Sequence, residues 1–345
     1  MKKMLALLLA LVMVLSLAAC ASSQPAAAST ETAETIETTE PAAEESAEAP
    51  AESGKTYTVG VCQLVQHEAL DAATQGFVDA LKEELGDAVT VDVQNASGDS
   101  VNCGTIVNGF VSKGVDLIMA NATPALTAAV SATADIPILG TSITAYGVAL
   151  DIDDFNGTVG GNVSGTSDLA DLQAQAQMIL DWFPETKTVG LLFCSAEPNS
   201  RYQIDEVRKA LEAQGVTCEE FAFTDSNDVS SVTQKAADFS DVVYIPTDNT
   251  AASNTEAIAN VLIPAGVPAV CGEEGLCRGC GVATLSISYY DLGVTTGKMA
   301  AKILKGEADI STMPVEYTDA TPKYNASVCE QLGITPLDGY EAIDG

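Results

Sequence analysis

Two α/β lobes, each built on a parallel sheet with helices on both faces and separated by a cleft, are what this sequence predicts. Three observations carry the prediction. Short apolar runs rich in Val and Ile alternate with amphipathic stretches of helix length, as in strands buried within a parallel sheet. The alternation is played through twice, and segments of the two passages match. One further strand and helix follow the second passage, enough to carry the chain back to the first lobe.

In order along the chain, Tyr57–Val61 is a compact strand pattern. Ala69–Leu85 follows with Leu70, Ala73, Phe77 and Leu81 at helical spacing. Then come strand Val89–Val93, helix Val101–Ser112, strand Asp116–Met119, helix Pro124–Ala132 and strand Ile136–Leu139. The second passage runs strand Thr188–Phe193, helix Tyr202–Ala213, strand Val216–Phe221, helix Val229–Ala237, strand Asp241–Ile245, helix Ala251–Leu262 and strand Val267–Val270. Val59 corresponds to Val189, Asp116 to Asp241 and Pro137 to Pro268, at spacings of 130, 125 and 131 residues. A repeated β-α-β-α unit implies two parallel-sheet lobes with helices on both faces, and such sheets take ligands at the carboxyl ends of their strands. Val282–Ile287 then predicts a strand, and Asp291–Leu304 a helix stopped by Gly306. A strand near Val315–Tyr317 and a short helix Ala326–Leu332 close the chain. The expected organisation is 55–166 with about 285–310 in the first lobe, and 167–284 with about 311–345 in the second.

The N-terminus predicts export. Lys2 and Lys3 precede an apolar run from Met4 to Leu17, too short for a span of about 20 residues. Leu17-Ala18-Ala19-Cys20 resembles a bacterial lipobox, which implies a signal peptide over 1–19 and a lipid on Cys20. From Ala21 to Ser53 the chain has no Lys, Arg or aromatic residue and one large aliphatic, Ile36. Such a segment buries too little to offset its chain entropy, so 20–54 is expected to be a disordered acidic tether. The folded part is then expected at the outer face of the cytoplasmic membrane, held there by the Cys20 lipid. A formal net charge of −33 argues against nucleic-acid partners.

Eight cysteines besides Cys20 permit disulfides in an exported protein, and their pairing is open. Cys277-Arg278-Gly279-Cys280 has no second pair and no nearby His, a weak zinc signal, so no metal and no cofactor is expected. The single His, His67, removes most acid–base and triad arrangements. Gly54-Lys55-Thr56 precedes its strand instead of following it, unlike a phosphate loop. The expectation is a binding protein, not an enzyme.

Several local motifs, in order, make the reading specific. They are Gln66–Ala73 with Gly76-Phe77, Asn95–Asp99, Ala122–Ala125, Gly161–Asp168, Pro246–Thr250, Gly272–Gly275, and Tyr289–Gly293 with Thr296–Ala300. Together they resemble the substrate-binding lipoproteins of ABC importers, in the branch that takes tryptophan and tyrosine. The resemblance implies two Rossmann-like lobes of the type I periplasmic-binding fold, closing on a small solute. It also implies an ABC permease and its ATPase subunits as partners. A sensory module presenting its ligand to a membrane receptor is the alternative. One departure is Thr141–Tyr146, where the family often carries a Thr-Asp-Pro turn.

Candidate ligand contacts lie just past strand ends. In the first lobe they are Gln63, His67, Asn121, Thr123 and Ser142. In the second they are Ser195, Glu197, Asn199, Ser200, Thr247, Asp248, Asn249, Glu273 and Glu274. Asp248 or Glu273 could accept an ammonium. Helix starts near Thr123 and Ser195–Ser200 could cradle a carboxylate. Arg201 and Arg278 are the cations near these loops, which disfavours phosphates and dicarboxylates. Aromatics at 5% disfavour sugars. An amino acid, an aromatic one in particular, is the favoured ligand.

Overall fold

The computed structural model describes residues 54–343. The signal segment, Cys20 and all of the tether but Gly54 lie outside them. The first passage of the chain comprises β1 (Tyr57–Gln63), α1 (Glu68–Leu85), β2 (Val89–Asn95), α2 (Ser100–Lys113), β3 (Leu117–Asn121), α3 (Thr123–Ala132), β4 (Ile138–Ile143), α4 (Tyr146–Ala149) and β5 (Val163–Ser167). The second begins with α5 (Leu172–Trp182), β6 (Thr188–Cys194), α6 (Pro198–Glu212), β7 (Thr217–Phe223) and α7 (Val229–Phe239). It goes on with β8 (Val242–Ile245), α8 (Asn249–Ala252), α9 (Thr255–Ala265), β9 (Ala269–Cys271), α10 (Glu274–Cys280) and β10 (Ala283–Ser286). Then come α11 (Tyr289–Lys305), β11 (Glu316–Tyr317), β12 (Thr321–Tyr324), α12 (Ala326–Leu332) and β13 (Glu341–Ala342).

Two sheets result, with strand orders β11-β5-β4-β3-β1-β2 and β13-β12-β10-β9-β8-β6-β7. Every pairing of named strands is parallel except β10 with β12. The repeat legible in the sequence is thus a repeat of topology. The chain crosses between sheets after β5, after β10 and after β11. Two expected boundaries shift. Leu285 and Ser286 pair with Pro322 and Thr321 in the second sheet, so that crossing comes after 286. Glu316 and Tyr317 pair with Thr166 and Ser167 in the first sheet, although 311–345 was expected in the second lobe.

Each sheet is apolar on both faces. Val59, Val61, Leu117, Met119 and Leu139 pack with Phe77, Met299 and Leu304 on one side of the first. Ile118, Ala120 and Ile138 pack with Phe110 and Leu126 on the other. α11 returns to the first lobe and lies against α1. A side chain at Gly293 would collide with the carbonyl of Ala73, so glycine sets how closely these helices approach. The second sheet is flanked by one cluster around Ile179, Leu191 and Phe193, and another around Phe223, Ile245 and Leu262. The eight described cysteines are free thiols, all buried but Cys218.

β5, Val-Ser-Gly-Thr-Ser, carries no apolar pattern yet is wholly buried. A side chain at Gly165 would meet the Gly140 carbonyl and the Tyr146 hydroxyl. Tyr146 fills that space, and its hydroxyl donates to the Thr166 carbonyl at 3.2 Å. Close backbone approach, not side-chain burial, holds this strand beside β4.

Candidate ligand site between the lobes

The carboxyl ends of both sheets face one small cavity. His67, Leu70, Ser142 and Thr144 come from the first lobe, with Asp168 and Tyr289 at two of the crossings. Asn199, Thr247, Asp248, Asn249, Ala252 and Glu273 come from the second. Its free volume is about 10 Å³, room for about one water molecule. The lobes also touch directly: the His67 ring lies 3.2 Å from Asn249 Oδ1, and Arg278 of α10 pairs with Glu68 of α1.

The expected residues divide by what their polar atoms already hold. Glu197 is buried, and its carboxylate accepts five hydrogen bonds. Three come from the backbone N–H and side chain of Asn249 and the side chain of Asn199, at 2.7–3.1 Å. Two come from Thr250, at 2.8 and 2.9 Å. It caps α8 and faces a neighbouring space of about 230 Å³. Asp248 accepts from Cys194 N–H at 2.6 Å, the Ser200 hydroxyl at 2.8 Å and Ala251 N–H at 2.8 Å. It therefore caps α8 and ties it to β6 and α6, with Ser200 consumed in the same bond. Glu273 accepts from the N–H groups of Gly275, at 2.6 Å, and Leu276, the first turn of α10. Glu274 points away into an outer groove, held by Ser286, Arg278 and Lys323 at 2.6–2.7 Å.

In the first lobe, Gln63 and Asn121 serve α1. The Gln63 side chain bonds Val65, Asp71 and Thr74 at 2.5–2.9 Å. Asn121 Nδ2 donates to the Leu70 carbonyl at 2.8 Å and the Thr74 hydroxyl at 3.0 Å. Thr123 opens α3 and is buried outside the cavity lining, while Ser195 is exposed and donates to the Phe223 carbonyl at 3.1 Å. Of the fourteen expected contacts, the cavity thus gathers His67, Ser142, Asn199, Thr247, Asp248, Asn249 and Glu273.

Three buried polar atoms on this lining have no hydrogen-bond partner: Ser142 Oγ, Asp168 Oδ1 and Asn199 Oδ1. Ser142 also has φ of 55°, a left-handed conformation at a non-glycine residue, and sits where the β4–β5 register shifts. Backbone strain of this kind collects at ligand sites. Asp168 was absent from the sequence candidates, although it ends the Gly161–Asp168 motif. Nothing in its local sequence separates it from a surface aspartate; it is buried because β5 delivers it to the first crossing.

Electrostatically the cavity is acidic. Burial pushes the Asp168 carboxyl up to about 6, against the pull of the Tyr289 hydroxyl, which donates to Oδ2 at 2.9 Å. The nearby Thr144 hydroxyl lowers it too, by a smaller amount. Burial lifts Glu273 to about 7, and raises Asp248, where the Glu197 charge adds to the effect. Burial lowers the His67 pKa. Among the described residues no Lys or Arg lines the cavity. Such a site can hold a positively charged group and exclude bulk water; it has no nucleophile–base pair.

Comparison with known proteins fits this geometry. The sequence model of the family described as ABC transporter substrate binding protein matches residues 58–339. The tyrosine-binding protein of Clostridioides difficile (strain R20291) is 32% identical over 276 residues, covering 78% of this chain and 79% of that protein. Among solved structures, an ABC domain from Streptococcus pneumonia in complex with L-Trp superposes with a TM-score of 0.79 at 32% identity, over 84% of this chain and 100% of that one. The ligand-free, open structure of a substrate-binding protein with adhesive properties from Clostridium difficile gives 0.64 at 33% identity, over 84% and 99%. With two parallel-dominated sheets, an acid-lined cavity between them and a match across nearly the whole described region, the chain belongs to the ABC transporter substrate-binding proteins, solute binders of the cell exterior and not enzymes.

Proposed function

We propose that this chain captures an amino acid, an aromatic one favoured, by closing its two lobes around it, as the lipid-anchored receptor of an ABC importer. The observation that carries the reading is the cavity itself. It draws its wall from both lobes, and three buried polar atoms on that wall lack partners. Buried polar groups in folded proteins are nearly always paired, so unpaired ones facing a shared cavity are groups a ligand can complete.

The ligand class rests on chemistry and on relatives together. Carboxyls without a lining cation suit an ammonium, and Tyr289, Leu70 and Ala252 supply an apolar wall for a ring. Relatives at about one-third identity are a tyrosine-binding protein and an L-Trp complex. The higher TM-score against the L-Trp complex than against the open, ligand-free structure, at nearly equal identity, supports a closed arrangement of the lobes here. A cavity with room for about one water admits a solute only if the lobes part, so opening and closing is the working motion. We read His67, Ser142, Thr247, Asn199 and Asn249 as ligand wall, and the Asp248 and Glu273 carboxylates as helix caps. The lipid on Cys20, the permease and the ATPase complete the proposed import route.

The test is a thermal-shift and calorimetric screen of residues 55–345 against amino acids, sugars and nucleosides. Ligand at one hundred times its Kd stabilises by about 2.7 kcal/mol, a readable rise in Tm. A rise with L-tyrosine or L-tryptophan is expected. A response confined to sugars or nucleosides would overturn the reading.

A further inference from the structure

We propose that Asp168 and Asn199 together form the receptor for the ligand's ammonium group, one from each side of the cleft. The inference rests on the amino-acid reading above and assigns its polar contacts. Asp168 stands where the chain leaves the first sheet, directly after β5, and Asn199 lies in the first turn of α6 in the second lobe. Both are at least 95% buried, and each keeps one oxygen, Oδ1, without a partner. The other Asp168 oxygen is occupied by the Tyr289 hydroxyl at 2.9 Å. The orientation of the Asn199 amide is fixed by its neighbours: its nitrogen faces the Thr247 carbonyl and the Glu197 carboxylate, both at 3.1 Å and both acceptors. Its oxygen is therefore the atom left over.

Two unpaired acceptors, one of them charged, call for a donor that is cationic and carries several hydrogens. An ammonium is such a group, and charge-assisted bonds are the stronger kind. The competing acids are already spent. Asp248 accepts three bonds from its own lobe and Glu273 accepts two backbone N–H groups. Ser142, the third orphan, is a hydroxyl that can donate, which leaves it for an acceptor on the ligand. Because Asp168 and Asn199 come from opposite sides, an ammonium between them gains both bonds only in the closed form. That is the differential contact closure requires.

The experiment measures binding of L-tyrosine and of its deamino analogue, 3-(4-hydroxyphenyl)propionate, to the wild-type protein and to Asp168→Asn by titration calorimetry, with L-tryptophan and indole-3-propionate as a second pair. Tm of each ligand-free protein reports folding. The expected result is a loss of about thirtyfold for the amino acid in Asp168→Asn. The deamino acid should change less than threefold or bind neither protein. Asn199→Ser should weaken the amino acid about tenfold by the same selective pattern. A loss below tenfold for the amino acid in a folded Asp168→Asn, or equal losses for both ligands, overturns the assignment. Failure of the wild-type protein to bind any amino acid is a different result: it removes the amino-acid reading itself.

Discussion

Four buried carboxylates stand at or beside the cleft, and they differ in who has claimed them. On the second-lobe side, Glu197, Asp248 and Glu273 each accept bonds from the first turn of a following helix. At the first crossing, Asp168 accepts one hydroxyl and nothing else. Burial is nearly the same for all four, at 1–5% exposure. A buried acid near a ligand site is therefore available only to the extent that its own lobe leaves it unsatisfied. The second-lobe acids build the wall; Asp168 is left to meet what enters.

Removing a claimed acid should have the largest effect. Glu197→Ala strands five donors, two of them backbone N–H groups at the start of α8. Unsatisfied buried partners of a charged group cost roughly 1–3 kcal/mol each, softened where water enters, so a loss of about 3 kcal/mol or more is expected. Urea unfolding measures it. Asp168→Asn should change stability at pH 4, where the folded carboxyl is still protonated, by less than about 1 kcal/mol, since one accepted bond is all it has and the amide oxygen can take it. If Glu197→Ala costs less than Asp168→Asn, the division between wall and receptor is wrong.

The same contrast explains what was legible beforehand. Sheets and helices announced themselves through apolar runs and helical spacing, and the duplicated plan through matched segments such as Ile136–Ile138 and Val267–Ala269. β5 did not, because Ser, Gly and Thr pack there through backbone proximity. α6 begins at Pro198, four residues before the apolar pattern suggested, because proline and a short polar turn start the helix without any apolar signal. At the site, residue type and strand-end position found seven of the lining residues. They could not show that Asp248 and Glu273 turn back to cap the helices that follow them, although the Asp248 cap was open to sequence reasoning. Nor could they show that Asp168 is buried, since that follows from where a crossing lands.

A second test uses protons. The Asp168 carboxyl rises to about 6 in the folded protein from an ordinary 3.8, and Glu273 to about 7 from 4.5. Between the unfolded and folded values the native chain binds more protons than the unfolded one. These two groups therefore favour folding at low pH, and their contribution declines as pH rises from about 4 to about 7. At about 1.4 kcal/mol per pH unit, the Asp168 share is about 3 kcal/mol at most. Asp168→Asn cannot titrate. Its stability relative to wild type should grow by up to that amount between pH 4 and pH 7, read from paired unfolding curves. Over the same window, affinity of the wild-type protein for an amine ligand should rise, because the carboxylate form is the acceptor. A stability difference independent of pH would show that Asp168 is ionised throughout, and hence better solvated than the cavity implies.

The smallest effect concerns the direct contacts between the lobes. His67 at the start of α1 reaches Asn249 of α8, and Arg278 of α10 reaches Glu68 of α1. The Arg278 and Glu68 side chains are 36% and 50% exposed, so that pair contributes about 0–1 kcal/mol. The more buried His67 bond is worth about 1 kcal/mol. Both exist only when the lobes are together. Their loss should shift the ligand-free equilibrium towards the open form, about fivefold for His67→Ala and less for Arg278→Ala. X-ray scattering should record a larger radius of gyration for ligand-free His67→Ala, and saturating ligand should restore the wild-type value. Identical scattering with and without the His67 ring would place the closing force elsewhere, in the ligand's own bridge between Asp168 and Asn199.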